Sequence, residues 1–399
     1  MKRNIFTLLL ALLGINLGSC QSSDHTVPTL PTTPTEIEDL PIGELYSWES
    51  NRTEMLSSTD MVLIYGGGHH RNPYTWEKNR LADYVKYTDK GNKSHWLFDS
   101  FLFLEIMDKG IGGANKMFAK GYDLESANKA DWEKLIDYYF QSNTGIGALD
   151  ACIKDATATL GTPAHKRQII ISIPEPIVYQ DPNNTSSSTR YWGQINGKTL
   201  DFSKSEDRIQ ACKWYIDRVR AKFNEMKYQN VELGGFYWLA EKATDTRDIL
   251  QTVAAYLNKM KYSFNWIPYY GADGYNQWKS FGFNYAYFQP NYFWFNRKGE
   301  YAQTPEERLD DACTKALNND MHVELEFDDD ALNSRGYGYR LQNYMAKFKE
   351  YGFWEKKRMA YYQGNNSLLT LKNSGNTIDQ DLYHEFCQFV ISRPIRDSH

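Results

Sequence analysis

Apolar residues along this chain gather into short, nearly continuous runs. Each run is followed by a segment whose apolar positions recur at helical spacing. Runs at 61–65, 96–105, 168–173, 234–241, 264–269, 284–289, 321–327 and 358–362 predict eight strands. Helical patterns fall at 75–87, 123–140, 147–160, 205–226, 245–260, 275–281, 305–319, 337–351 and 379–391. The cleanest stripe is Ile209, Cys212, Ile216, Val219, Phe223 and Met226. Pro305 stands where a first helical turn accepts it. Short apolar strands alternating with helices imply a parallel sheet covered by helices. Eight such units predict an α/β chain folded as a single (β/α)8 barrel. A doubly wound open sheet is the alternative, but no GxGxxG opens the chain. The polar stretch 181–202, with Tyr191 and Trp192, reads as a long loop, of the kind that is either functional or disordered.

In a barrel of this kind the chemistry lies at the C-terminal ends of the strands. Those ends supply His69 and His70, Glu105, Glu175, Glu241, Tyr269 and Tyr270, Gln289 and Asn291, Glu326 and Asp328, and Gln363. The seventh strand separates two faces by parity. Val323, Leu325 and Phe327 form one, and His322, Glu324, Glu326 and Asp328 the other. The helix-facing side must be apolar, so the acidic side is expected to point into the barrel. Glu324, nearer the middle of the strand, is expected to be a satisfied structural acid, and Glu326 to reach the mouth. Asp328-Asp329-Asp330 reads as a solvated cap rather than a calcium loop.

Two acids on opposite walls of a cleft are what glycoside hydrolysis needs: one protonates the leaving oxygen, the other attacks the anomeric carbon or activates water. Glu241 and Glu326 are the expected pair. His69, His70, Asp99, Glu175, Trp192, Trp238, Tyr269, Tyr270, Gln289, Asn291 and Asp328 are the expected substrate contacts, with aromatic faces for sugar rings and amides for hydroxyls. A non-catalytic glycan-binding protein on the same barrel is the second reading. A metal-dependent esterase or deacetylase, with His69 or His70 beside Asp99, is the third. No cofactor and no metal is expected. Gly66-Gly67-Gly68-His69-His70 lacks the Lys-Ser/Thr of a phosphate loop, and the cysteines lack ligand spacing.

Composition narrows the picture further. Aromatic residues make up 15% of the 399, including 29 Tyr and 11 Trp, which suits a surface that stacks on flat ligands. A net charge of −5 without a basic block disfavours nucleic acid. At the N-terminus, Lys2 and Arg3 precede an apolar run over 5–17 that is too short to span a bilayer and reads as a signal peptide. Leu17-Gly18-Ser19-Cys20 resembles the bacterial lipobox, which implies lipidation of Cys20 and residence on the outer membrane or cell surface. The expected organisation is a signal peptide over 1–20, a Thr/Pro/Ser-rich tether over 21–45, and a barrel domain over 46–399. The expected partners are a carbohydrate ligand and a membrane reached through the lipid alone, with the barrel monomeric. An exporting compartment permits Cys152, Cys212, Cys313 and Cys387 to pair. Their dispersal over separate helices argues instead for buried unpaired thiols.

The positions of Glu241 after strand four and Glu326 on strand seven also resemble the clan of retaining glycosidases with (β/α)8 barrels. That resemblance implies an acid/base at the first position and a nucleophile at the second. Ala240 stands where that clan usually has Asn. The chain as a whole is similar to exported bacterial lipoproteins catalogued as domain of unknown function 4855. The likeness is carried by Phe98-Asp99-Ser100-Phe101-Leu102, Gly235-Phe236-Tyr237-Trp238, Trp266-Ile267-Pro268-Tyr269-Tyr270 and Glu324-Leu325-Glu326-Phe327-Asp328. It implies a glycosidase-like barrel and assigns no substrate.

Overall fold

The computed structural model describes residues 49, 52–55, 58–65, 75–108, 116–122, 124–178 and 191–398. The readings made on Cys20, His69 and His70 lie outside the described residues. Eight parallel strands close a barrel: β1 (Asp60–Tyr65), β2 (Ser100–Leu104), β3 (Arg167–Ile173), β4 (Val231–Trp238), β5 (Ser263–Trp266), β6 (Tyr285–Phe288), β7 (His322–Glu326) and β8 (Met359–Tyr362). Each pairs with its sequence neighbours, and β1 with β8 closes the ring. The closed ring of hydrogen bonds rules out the open-sheet alternative.

Around the barrel lie α1 (Lys78–Val85), α2 (Lys129–Tyr139), α3 (Gly145–Leu160), α4 (Ser205–Met226), α5 (Arg247–Lys259), α6 (Pro305–Asn318), α7 (Gly338–Glu350) and α8 (Thr377–Ile391). Local chemistry sets their starts. Asn128 and Asp131 cap α2 reciprocally, and Thr304 and Glu307 do the same for α6, whose first residue is Pro305. Cys152, Cys212, Cys313 and Cys387 are buried and unpaired in these helices. Among the described residues no helix is long and apolar enough to cross a membrane.

Parity around the ring is consistent. Register pairs Leu63 with Leu102, Leu102 with Ile170, Gly235 with Ser263, Tyr237 with Asn265, and Tyr287 with His322. These residues face inward, while Phe236 and Trp238 face outward, onto Tyr262 and Phe264. β3 and β4 shift register between Leu233 and Gly235. A Cβ on Gly235 would lie 2.0 Å from Ser263 Oγ and 2.3 Å from the Ser263 carbonyl oxygen, so only glycine permits this approach.

Four stretches depart from the expected elements, and in one of them the helix expected over 275–281 is only a 3₁₀ turn at Tyr275–Gln277. The second strand starts at Ser100, because Ser94–Trp96 folds back antiparallel on Lys86–Thr88. The helix expected from residue 123 starts at Lys129, preceded by short strands Met107–Asp108, Lys116–Met117 and Glu125–Ser126. Within the expected loop, Tyr191–Ile195 and Lys198–Asp201 form a hairpin. Asn196 (φ 50°) and Gly197 (φ 75°) make its two-residue turn, the sequence pair that such a turn favours.

Candidate active site

β7 carries the acids that define the site. Glu324 and Glu326 point inward and are fully buried, while Val323, Leu325 and Phe327 pack outward. Glu326 is held on both oxygens. Oε1 accepts from the Gln289 side-chain amide at 3.1 Å. Oε2 accepts from the Asn291 backbone N–H at 2.7 Å and from the Tyr344 hydroxyl on α7 at 2.7 Å. Asn291 adopts φ 51°, a left-handed conformation that asparagine tolerates, which presents its N–H to the acid. Burial pushes the Glu326 carboxyl up to about 7, against the pull of those donors and of Arg308.

Glu324 reverses its expected role. It is not a satisfied structural acid: its Oε1 is buried without a hydrogen-bond partner among the described residues. Burial, then the charges of Glu326 and Glu241, hold its carboxyl well above the usual carboxylate range. Two residues apart on one strand face, the two carboxyls stand about 6–7 Å apart at their Cα atoms and cannot both ionise cheaply.

Glu241 follows β4 on the exposed rim. The turn beneath it is pinned where Trp266 Nε1 donates to the Ala240 carbonyl at 2.8 Å. Its charge acts on Tyr237, Tyr269 and Glu324. Burial first, and that charge second, raise both tyrosine hydroxyls. The mouth thus gathers one exposed acid and two buried ones, with Tyr237 and Tyr269 beside them. Tyr269 bridges to Gln289, which ties the strand-five end to the Glu326 donor.

Two further groups line the mouth. Asp328 accepts from Trp294 Nε1 at 2.7 Å, and Trp294, Tyr362 and Tyr65 meet edge to face in sequence. Burial raises the Asp328 carboxyl. Glu175, after β3, accepts from the Lys120 backbone N–H at 2.7 Å, next to the Lys120–Asp245 ion pair. Burial brings its carboxyl up to about 7.

Four expected contacts stand elsewhere. Asp99 precedes β2 at the opposite end of the barrel. It accepts from Thr59 N at 2.8 Å, Thr59 Oγ1 at 2.7 Å and Asp60 N at 2.8 Å. That placement also takes from the metal-dependent reading the acid it requires. Among the described residues no group of three His, Cys, Asp or Glu is arranged to hold a metal ion. Trp192 is buried among Trp132, Phe202 and Trp214, under the hairpin that wraps α2 and α4. Trp238 faces the helices and donates to Thr246 Oγ1 at 3.3 Å. Tyr270 turns toward α6, its hydroxyl on Asp311 and its ring covered by Arg308 at 3.8 Å. Periodicity cannot see a hairpin packing an aromatic away, nor which end of a strand an acid flanks.

Sequence reasoning missed Tyr344, Tyr237, Trp294 and Tyr362. Tyr344 occupies a core position of the α7 stripe, and no sequence signal marks its hydroxyl. Tyr237 was legible from parity, since it alternates with Phe236 and Trp238. A groove of about 400 Å³ between the 86–96 hairpin and α8, lined by Tyr87, Asp89, Asp381 and His384, shares no residue with the mouth.

No curated protein matches this chain. Among solved structures it is similar to a putative alpha-L-fucosidase from Bacteroides thetaiotaomicron (12% identity, 88% of this chain and 98% of that one, TM-score 0.40). It is also similar to a GH18 chitinase from Pseudoalteromonas aurantia (12% identity, 83% and 100%, TM-score 0.40). A tryptophan synthase alpha-subunit from Pyrococcus furiosus is similar too (7% identity, 84% and 99%, TM-score 0.35). Scores this low carry no functional argument, and the barrel rests on its own strand order. The profile of one family matches residues 60–388, the span from β1 into α8, and the chain therefore belongs to the family described as Domain of unknown function (DUF4855).

Proposed function

We propose that this chain is a glycoside hydrolase acting on a poly- or oligosaccharide, with Glu241 as proton donor and acceptor and Glu326 as nucleophile or as base toward water. The observation that carries this reading is the asymmetry of the acids. Glu241 is exposed on the rim, where it can meet a leaving group and then water. Glu326 is buried and aimed by Gln289, Asn291 and Tyr344, as a reacting carboxylate must be. The half-exposed Trp294 and Tyr362 supply a wall for sugar rings. The test is release of reducing sugar from a glycan panel by the wild-type chain, Glu241→Gln and Glu326→Gln. Each substitution is expected to lower turnover by about 10²–10⁴-fold with the fold retained. Full turnover in both variants would overturn the assignment.

Two observations favour a second reading, glycan binding without cleavage. Both oxygens of Glu326 are already occupied by protein donors, and Ala240 stands where barrel glycosidases usually carry Asn. Retention of a glycan by the wild-type chain, without release of any product, decides for it.

The basic start, apolar run and Cys20 support export and lipid anchoring at the bacterial surface, with a monomeric barrel held on the 21–45 tether. Incorporation of labelled palmitate in cells, lost in Cys20→Ala, tests the anchor. Sedimentation of the detergent-solubilised chain tests the monomer.

A further inference from the structure

Gln289 Oε1 and Glu324 Oε1 are among the buried oxygens inside the barrel, with Ser100 Oγ and Ser172 Oγ, that the described residues leave without a partner. The first two belong to neighbouring side chains. β6 and β7 pair Tyr287 with His322 and Phe288 with Val323. The next step of that register sets Gln289 beside Glu324, on strands about 4.8 Å apart. Both point inward, as Tyr287 and His322 do two residues earlier, with ring centroids 5.4 Å apart. The orientation of Gln289 is set by its other end: its amide nitrogen donates to Glu326 Oε1, which leaves the oxygen as the acceptor.

Two adjacent buried oxygens without a hydrogen-bond partner oppose folding, and folded proteins seldom leave such groups unmet without a use for them. Among the described residues the charges acting on Glu324 are those of Glu326 and Glu241, with no Lys or Arg among them. Burial and those two charges favour the protonated form of Glu324, which offers a donor as well as an acceptor. A hydroxyl, which both donates and accepts, matches a neutral acid beside an amide oxygen. An ammonium would require Glu324 to ionise first.

We infer that Glu324 and Gln289 form a hydroxyl-binding subsite inside the barrel beneath Glu326, which takes one hydroxyl of a sugar ring. That the hydroxyl belongs to a sugar rests on the carbohydrate reading above. The unmet pair of oxygens does not.

The test uses the full chain and Glu324→Met. Replacing an unmet buried carboxyl with an apolar side chain of similar size is expected to raise the melting temperature at pH 7 by several degrees. A fall would overturn the inference, because it would mean Glu324 is a partnered structural acid. Saturation-transfer NMR with D-glucose, D-galactose and D-mannose, and with D-glucosamine as the cationic arm, reads the ligand. Transfer from at least one neutral hexose is expected in the wild type and a tenfold or greater loss in Glu324→Met. No transfer from any hexose, or transfer from glucosamine alone with release of a proton, would overturn the hydroxyl assignment. Hexose binding lost in Glu324→Met, in a chain that cleaves no glycan, would leave the subsite standing and remove the hydrolase reading.

Discussion

The Tyr344 hydroxyl donates to Glu326 Oε2 at 2.7 Å, so a residue of the outer helix layer orients an acid of the barrel interior. Tyr344 is itself buried, and its ring packs edge to face on Tyr292. Tyr344→Phe keeps the ring and removes one of the donors that favour the ionised form of Glu326. The Glu326 carboxyl is then expected to titrate above its present value near 7. The lost hydrogen bond to a charged group costs about 1.5–3 kcal/mol at high pH. A ¹³C NMR titration of the glutamate carboxyls checks this, and an unchanged or lower midpoint would contradict it.

Stability should depend on pH in an unusual direction. Glu175 and Glu326 both titrate near 7 in the fold, raised from 4.5. Between those values the folded chain holds protons that the unfolded chain has released, so stability rises as pH falls from 8 toward 5. Each group contributes on the order of 3 kcal/mol across that window. Chemical denaturation from pH 8 to 5 should show the rise, and Glu175→Gln and Glu326→Gln should each flatten it. A wild-type profile that falls over this range would refute the assignment.

Gly235 is the tightest backbone contact in the barrel wall. Gly235→Ala forces a methyl into the Ser263 backbone at 2.3 Å, which a side-chain rotation cannot relieve. A loss of about 3 kcal/mol or more is expected from overpacking. Gly375→Ala, where a Cβ meets nothing within 4 Å, is expected to stay within about 0.5 kcal/mol of wild type. Urea denaturation of the two variants measures both.

Asp99 tests which end of the barrel is which. Asp99→Asn keeps the shape but weakens the acceptor that holds Thr59 and Asp60. Stability is expected to drop by about 1–3 kcal/mol, with glycan binding unaltered. A binding defect at unchanged stability would return Asp99 to the ligand site.

Much of this protein is legible in its residues. Eight apolar runs alternating with helical stripes specify a closed parallel barrel, because only helices on every face can cover strands that are apolar throughout. Parity along 321–327 assigns Glu324 and Glu326 to the interior, and the position of Glu241 after the fourth strand assigns it to the rim. Tertiary structure alone decides which acid is satisfied. Gln289, Asn291 and Tyr344 come from a different strand end, loop and helix, and they converge on Glu326 while leaving Glu324 unmet. It also decides that Trp192, Trp238 and Tyr270 serve packing and that Asp99 serves the far end. An aromatic or an acid has the same local signature in either role. Only the path of the chain around it determines whether it meets solvent, a helix or a second carboxyl.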